Sequence, residues 1–120
     1  MEHLICSPDD LPTGEVRIVT VNAIEIGVFR QGDEYFAYQN VCPHQGGPAC
    51  EGMRTPQIED TFDAKGLFTG QRLDEDDMHI VCPWHGYEFH LRTGEHVRDS
   101  KVRLRRFPVT IRDGGVYVAM

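Results

Sequence analysis

The sequence has few of the features that mark several common classes of protein. Its 120 residues include only four cysteines, too few for the disulfide framework of a small secreted domain. No apolar run approaches the roughly 20 residues needed to cross a bilayer. The first ten residues have no basic region ahead of an apolar one, so they do not resemble a signal peptide. We therefore expect a single domain covering residues 1–120, without a membrane span, in the cytoplasm.

Positive charge is also scarce. The chain has 12 Lys and Arg against 19 Asp and Glu, which gives a formal net charge of −7. A nucleic-acid backbone needs a basic footprint on the protein, so this balance argues against a nucleic-acid partner. An acidic protein suits transient docking on basic patches of partners, where charge mainly sets the association rate. The alternative is that the charge only keeps a small protein soluble.

The chain shows no sustained helical period; instead, apolar and polar residues alternate as they do in strands. The alternating runs are residues 15–21, 24–30, 35–39, 102–111 and 116–119. Turn signals at residues 31–34 and 112–115 join neighbouring runs into hairpins. The three arginines at 103, 105 and 106 are expected on the solvent-exposed face of their strand. The pattern predicts an all-β fold.

The middle of the chain differs from both ends. Residues 42–94 are rich in Gly, Pro, Cys and His, as expected of loops built around a site. Within them, residues 55–77 predict an irregular, acidic insertion of a length that is usually functional or mobile. We expect it to be held down by apolar side chains, namely Ile58, Phe62, Leu67, Phe68 and Leu73. The acidic run at 74–77 is expected to be a solvated turn, or alternatively a surface for a basic partner.

Two short motifs carry the chemistry. Cys42-Pro43-His44 and Cys82-Pro83-Trp84-His85 each offer one thiol and one imidazole, and each follows the end of a predicted strand. Proline after each cysteine fixes the backbone torsion, and glycines nearby allow backbone N–H groups to approach closely. Two such tips could hold a metal centre from both sides. The Cys2His2 set is compatible with an iron–sulfur cluster or with a structural zinc ion.

The spacing Cys-x-His followed by Cys-x-x-His resembles the Rieske family, and the flanking residues resemble its ferredoxin branch. The further matching positions are Gly46, Pro48, Glu51-Gly52, Phe89, Thr93-Gly94 and Phe107-Pro108-Val109. The resemblance covers nearly the whole chain except the insertion. It implies an antiparallel β-sandwich base with a small cluster-binding subdomain, at about residues 40–95.

The resemblance also implies one Rieske-type 2Fe-2S cluster, with Cys42 and Cys82 on one iron and His44 and His85 on the other. Two ferric ions, two sulfides and two thiolates sum to zero charge, whereas a cluster with four cysteine ligands carries a charge of −2. An electron is therefore easier to add to the Cys2His2 cluster than to the all-cysteine cluster. High-potential members have a disulfide between the ligand loops and a serine hydroxyl near the cluster. In this sequence Trp84 stands at the cysteine position and Tyr87 at the serine position, which predicts a potential near the low end of about −150 to +300 mV.

This sequence departs from the family pattern in two places. His44 and Cys82 are more widely separated than usual, so the insertion must extend away from the cluster. Family members often cover the cluster with a third, proline-containing loop, and the matching stretch at residues 97–101 has no proline.

The other cysteines and histidines have plainer interpretations. We expect Cys6 and Cys50 to be small, semi-buried thiols, although pairing or ligation is an alternative. His90 alternates with apolar neighbours, so we expect it to face solvent. Trp84 is equally compatible with a shield, a docking surface or a packed loop residue. For His79 the sequence shows no partner pattern.

Taken together, these features resemble the ferredoxin component of a Rieske non-haem iron oxygenase system. Such a protein has no catalytic site of its own. It would be a soluble monomer that docks transiently, taking electrons from a flavin-dependent reductase and passing them to a terminal oxygenase acting on an aromatic substrate. One alternative is a Rieske-like small subunit of a larger oxidoreductase, such as a nitrite reductase. Another is a structural zinc module.

Overall fold

A computed structural model describes residues 1–43, 46–83 and 87–120, without the side chains of 57–59 and 74–76. Within this part the chain forms ten strands and two short 3-10 helices, at Pro8–Asp10 and Ala49–Glu51. The strands are β1 (Glu2–Cys6), β2 (Val16–Val21), β3 (Ile24–Gln31), β4 (Glu34–Gln39), β5 (Met53–Phe62), β6 (Phe68–Val81), β7 (Glu88–His90), β8 (Arg106–Phe107), β9 (Val109–Arg112) and β10 (Gly115–Ala119). No helix in the described ranges is long and apolar enough to cross a membrane.

The strands make three antiparallel sheets. Their strand orders are β1-β10-β9, β2-β3-β4-β8 and β5-β6-β7. The first and last strands of the chain pair with each other, starting at Glu2 and Ala119. Both ends of the chain therefore build the base, and the predicted all-β fold is confirmed.

The four-stranded sheet lies between two hydrophobic cores. Val28 of β3 shares one buried cluster with Val116 of β10. The next residue, Phe29, points to the opposite face and shares a second cluster with Ile80 of β6 and Phe89 of β7. A sheet covered on both faces is apolar along its length, which is why β3 has four consecutive buried residues.

The predicted hairpins are confirmed, whereas the predicted strand at residues 102–111 is wrong in part. At the turn between β9 and β10, Asp113 and Gly114 have φ values of 49° and 72°, as a two-residue hairpin loop requires. The run at 102–111 is interrupted at Pro108, between β8 and β9, because proline has no N–H to donate to a ladder. The three arginines at 103, 105 and 106 are exposed, as predicted.

The expected irregular insertion is instead a long β-hairpin. β5 pairs with β6 from Met53↔Val81 to Phe62↔Phe68, so the acidic run at 74–77 belongs to a strand rather than a turn. The predicted apolar contacts with the body are also wrong, because Phe62, Leu67, Phe68 and Leu73 are 60–63% exposed. The side chain of Ile58 lies outside the described residues. Cross-strand pairing satisfies the backbone here without a core beneath it.

The hairpin makes the molecule long. Its principal extents are 55 × 33 × 20 Å, and its radius of gyration of 16.0 Å exceeds the value of about 14 Å typical of this chain length. The ten residues of β5 span about 33 Å at the usual rise per residue. The inner end of the hairpin lies beside Cys82 and the outer end points away from it, as the sequence predicts for the insertion.

Candidate metal centre

The structure brings together two of the four predicted ligands. Cys42 lies three residues after β4, and Cys82 directly follows β6. Their exposed fractions are 2% and 1%, and both belong to the same buried cluster. The two predicted histidine ligands, His44 and His85, lie outside the described residues, as does Trp84.

The two cysteine loops close in the same way. The Cys42 N–H donates to the carbonyl oxygen of Gly47, and the Cys82 N–H donates to that of Tyr87, each at 2.7 Å. Each bond joins a cysteine to the fifth residue after it. In the first loop the Gly46 N–H also donates to the Cys42 carbonyl at 2.8 Å. Each predicted imidazole therefore belongs to a short segment whose two ends are fixed to each other.

Gly52 sets the distance between the two loops. A Cβ at this position would lie 1.6 Å from the carbonyl oxygen of Val81 and 3.1 Å from Cδ of Pro83. Val81 and Pro83 are the residues on either side of Cys82, so the chain leaving the first loop packs directly on the start of the second. Gly52 is one of the positions that matches the family pattern, but the sequence alone did not show this contact.

Asn40 is a supporting residue that sequence reasoning missed. It is 4% exposed, and its Nδ2 donates to Glu25 Oε1 at 2.6 Å and to Glu51 Oε2 at 3.1 Å. Its Oδ1 accepts a hydrogen bond from the Cys50 N–H at 2.8 Å. A buried amide with these partners fixes the chain on both sides of the Cys42 loop. The available signal was a polar residue directly after a strand and two residues before a predicted ligand.

Cys50 and Cys6, expected to be semi-buried thiols, are buried. Cys50 is fully buried and its Sγ donates to the Tyr38 carbonyl oxygen at 3.6 Å. Burial raises the pKa of the Cys50 thiol to about 12, so it stays protonated. All four cysteines are outside disulfides.

A groove of about 800 Å³ runs beside both cysteine loops. Pro43 contributes from the first loop, Tyr87 from the second, and residues 96–103 form the remaining wall. Val97, Arg98, Asp99 and Lys101 of the proline-free stretch at 97–101 thus line a groove next to both cysteine loops. Its charged lining is mixed: Glu88, Arg98, Asp99, Lys101 and Arg103. The groove therefore does not share the acidic character that the net charge of −7 gives to the protein as a whole.

The donor set fits an iron–sulfur cluster. Two thiols belong to one buried cluster, each at the start of a loop closed by the same type of backbone hydrogen bond, and each loop carries one imidazole in its sequence. Thiolates bind the irons of such clusters, and a Rieske centre replaces two of four with imidazoles. The Rieske [2Fe-2S] domain family matches residues 1–108. The chain belongs to the Rieske family. As a Rieske protein, it carries one 2Fe-2S cluster.

Several curated Rieske proteins are similar to this chain over nearly its full length. Ferredoxin CarAc of Metapseudomonas resinovorans is 31% identical and covers 96% of this chain and 90% of its own. A 3-phenylpropionate/cinnamic acid dioxygenase ferredoxin subunit from Photorhabdus laumondii is 26% identical, with coverage of 97% and 91%. The ferredoxin component of an alkene monooxygenase system from Xanthobacter autotrophicus is 25% identical, with coverage of 95% and 77%.

Solved Rieske structures agree with the fold. A chain in the complex of reduced oxygenase and oxidized ferredoxin in carbazole 1,9a-dioxygenase is 30% identical, with a TM-score of 0.71 and coverage of 98% and 92%. A putative NADH-dependent nitrite reductase small subunit from Mycobacterium tuberculosis has a TM-score of 0.72 at 21% identity, with coverage of 100% and 95%. At that identity the second likeness concerns the fold alone.

Proposed function

We propose that this protein is a one-electron carrier with a low-potential Rieske cluster, passing electrons from a flavin-dependent reductase to a terminal oxygenase. The observation that carries the proposal is the similarity, over 95% and 97% of the chain, to two proteins named as the ferredoxin component or subunit of an oxygenase system. The protein would therefore act through its partners, with an aromatic compound as the final substrate.

The proposed ligands are the thiolates of Cys42 and Cys82 on one iron and the imidazoles of His44 and His85 on the other. The burial of both thiols and the matched closure of both loops support this assignment. The cluster supplies the site that accepts and releases a single electron. The protein holds the cysteine side in a dry core, which limits how much the surroundings must rearrange when the charge changes.

The groove beside the loops is the proposed docking face. It adjoins the first loop through Pro43 and the second through Tyr87, and its wall carries both basic and acidic side chains. Mixed charge suits an encounter that is oriented by electrostatics yet short-lived. We further propose that residues 40–95 form the cluster-binding subdomain, that 55–77 is its insertion, and that the free protein is a cytoplasmic monomer.

The ligand assignment is tested by cysteine substitution. Purified protein should be red-brown and should give a Rieske electron paramagnetic resonance signal when reduced. We expect Cys42→Ser and Cys82→Ser to lose both properties together with most of their iron. Cys6→Ser is the matched control, because Cys6 is buried in the other core and should leave the cluster intact. A colourless wild-type protein containing zinc, or a Cys82→Ser variant with a normal signal, would contradict the assignment.

The role as a carrier is tested by purification and by kinetics. A shuttle should purify alone from its natural host, whereas a fixed subunit of an enzyme such as nitrite reductase should co-purify with its large partner. The reduced protein should then be reoxidised by the oxygenase encoded nearest to its gene, at a rate that falls as salt screens the docking charges. Stable co-purification with a nitrite reductase would favour the alternative.

The cluster potential gives an independent test of the low-potential class. The absence of a disulfide between the loops removes one contribution to the high potentials of respiratory members. We expect a midpoint near the low end of the Rieske range of about −150 to +300 mV. Protein-film voltammetry measures it directly, and a midpoint well above about +100 mV would contradict the prediction.

A further inference from the structure

A second group of metal-ligating side chains lies at the start of the β6–β7 ladder, close to the inner end of the long hairpin. Asp77 and His79 belong to β6, and His90 belongs to β7, where it pairs directly with His79. One ligand atom from each residue can be chosen so that all three lie within 4.8 Å of one another. The two imidazole rings are 4.8 Å apart between centroids and almost perpendicular. None of these residues is a proposed cluster ligand.

The partners of His79 leave one of its ring nitrogens without a hydrogen bond. His79 is 3% exposed, and its Nδ1 lies 3.0 Å from Oε2 of Glu88. Its Nε2 is buried without a hydrogen-bond partner, although Oδ1 of Asp77 lies 3.3 Å away. If Nδ1 carries the proton that Glu88 accepts, the Nε2 lone pair faces a carboxylate oxygen. Two acceptors at this distance repel each other unless a cation lies between them.

The spacing and the chemistry of these atoms suit a small divalent cation. Oδ1 of Asp77 lies 3.0 Å from Nδ1 of His90 as well as 3.3 Å from Nε2 of His79. Zinc bonds to nitrogen and oxygen at about 2.0–2.2 Å, and tetrahedral geometry then separates neighbouring ligand atoms by about 3.3 Å. The contact between His79 and Glu88 is the carboxylate–histidine arrangement that orients metal-bound imidazoles.

The site is also open to solvent on one side. Asp77 and His90 are 37% and 35% exposed, so an ion can enter without unfolding the strands. His90, predicted to face solvent, is thus half-buried and held by Asp77. The register shift after Pro56 leaves Asp77 outside the β5–β6 pairing, and such bulges commonly redirect a side chain.

We propose that Asp77, His79 and His90 bind a divalent transition-metal ion, with Glu88 as a positioning residue and water completing the coordination. The ion would join β6 to β7 at the pair His79↔His90. Two pairs further along the same ladder, Val81 and Glu88 flank the second cysteine loop. The metal would therefore fix the base of the loop that carries Cys82, apart from the cluster itself.

The test uses untagged holoprotein with its iron intact and Zn²⁺ as the probe. We expect one equivalent of Zn²⁺ to bind per chain by equilibrium dialysis and elemental analysis, with unchanged iron content and visible spectrum. Isothermal titration calorimetry should show binding weakened more than about tenfold by Asp77→Asn and by His90→Ala, since each removes a ligand rather than an outer partner. Glu88→Gln should weaken it by about tenfold.

Control variants separate this site from other zinc-binding positions. His3→Ala removes another histidine with an unpaired buried ring nitrogen, on β1, and should bind Zn²⁺ as the wild type does. Zinc should also raise the melting temperature of the wild type but not of Asp77→Asn, which keeps the side-chain shape. Absence of stoichiometric binding to the holoprotein would overturn the proposal. So would wild-type affinity in both ligand variants, or zinc uptake only where iron has been lost.

Discussion

The inner and outer halves of the β5–β6 hairpin have the same secondary structure and opposite surroundings. The inner half, residues 53–56 and 78–81, is completed by β7 as a third strand and places Ile80 fully within the core. The outer half, residues 57–62 and 68–74, has two strands, and its described apolar side chains are about 60% exposed. Regular strand pairing alone therefore does not indicate how much a segment contributes to the stability of the fold.

The boundary between the halves is a register shift. Pro56 pairs with Met78, whereas the next residue, Gln57, pairs with Asp74, so three residues of β6 have no partner in β5. Beyond this bulge the hairpin depends on cross-strand contacts such as Thr61 with Thr69 at 3.0 Å and Phe62 with Phe68 at 6.1 Å between ring centroids. An isolated two-stranded hairpin is only marginally stable in water, so we expect the outer half to contribute little to the stability of the rest of the protein. Three predictions test this division.

The largest effect is expected from Gly52→Ala, at the inner end. The new methyl carbon would lie 1.6 Å from the Val81 carbonyl oxygen, so the backbone beside Cys82 must move. We expect loss of the cluster and failure to accumulate folded protein, measured by iron content and visible absorbance. Gly66→Ala, at the tip, is the control: it adds about 1–2 kcal/mol of backbone strain at a φ of 80° but meets no atom within 4 Å. Equal iron content and equal yield of folded protein in the two variants would contradict the distinction between the inner and outer halves of the hairpin.

The fold class could be predicted, and the two candidate cysteines could be singled out, because their signals are local. Alternation of apolar residues gives strands, and a turn such as Asp113-Gly114 gives a hairpin. Cys42 and Cys82 were identifiable because each has a diagnostic spacing to a histidine. The burial of both thiols in one core agrees with that prediction, and the assignment of their histidine partners remains a proposal.

The hairpin and the supporting residues could not be predicted because their cause is non-local. Residues 55–77 alternate poorly because the described side chains of the outer half are exposed or only partly buried, so the pairing requires no apolar face there. His79 seemed to have no partner because Asp77, Glu88 and His90 meet it only after β6 and β7 pair. Asn40 likewise depends on Glu25 and Glu51, which are 15 and 11 residues away.

An intermediate effect is expected from a matched pair of truncations to alanine on β6. Ile80→Ala removes a fully buried side chain from the core shared with both cysteines, at a cost of about 2–5 kcal/mol. Leu73→Ala removes a side chain that is 60% exposed and should change stability by less than about 0.5 kcal/mol. Thermal unfolding monitored by the visible absorbance of the cluster measures the loss of stability in each variant. Comparable losses would mean that the outer half is buried by a contact that this arrangement does not include.

The smallest effect is expected from removing the outer half altogether. Deleting residues 58–73 and joining Gln57 to Asp74 through Asn-Gly retains an existing cross-strand pair on a favoured two-residue turn. The inner pairs from Met53↔Val81 to Pro56↔Met78 stay in register, so the second cysteine loop keeps its support. We expect the shortened protein to have the same iron content, visible spectrum and midpoint potential as the full chain. Loss of the cluster would show that the outer half stabilises the fold, and a shifted potential would show that it contacts the cluster surroundings.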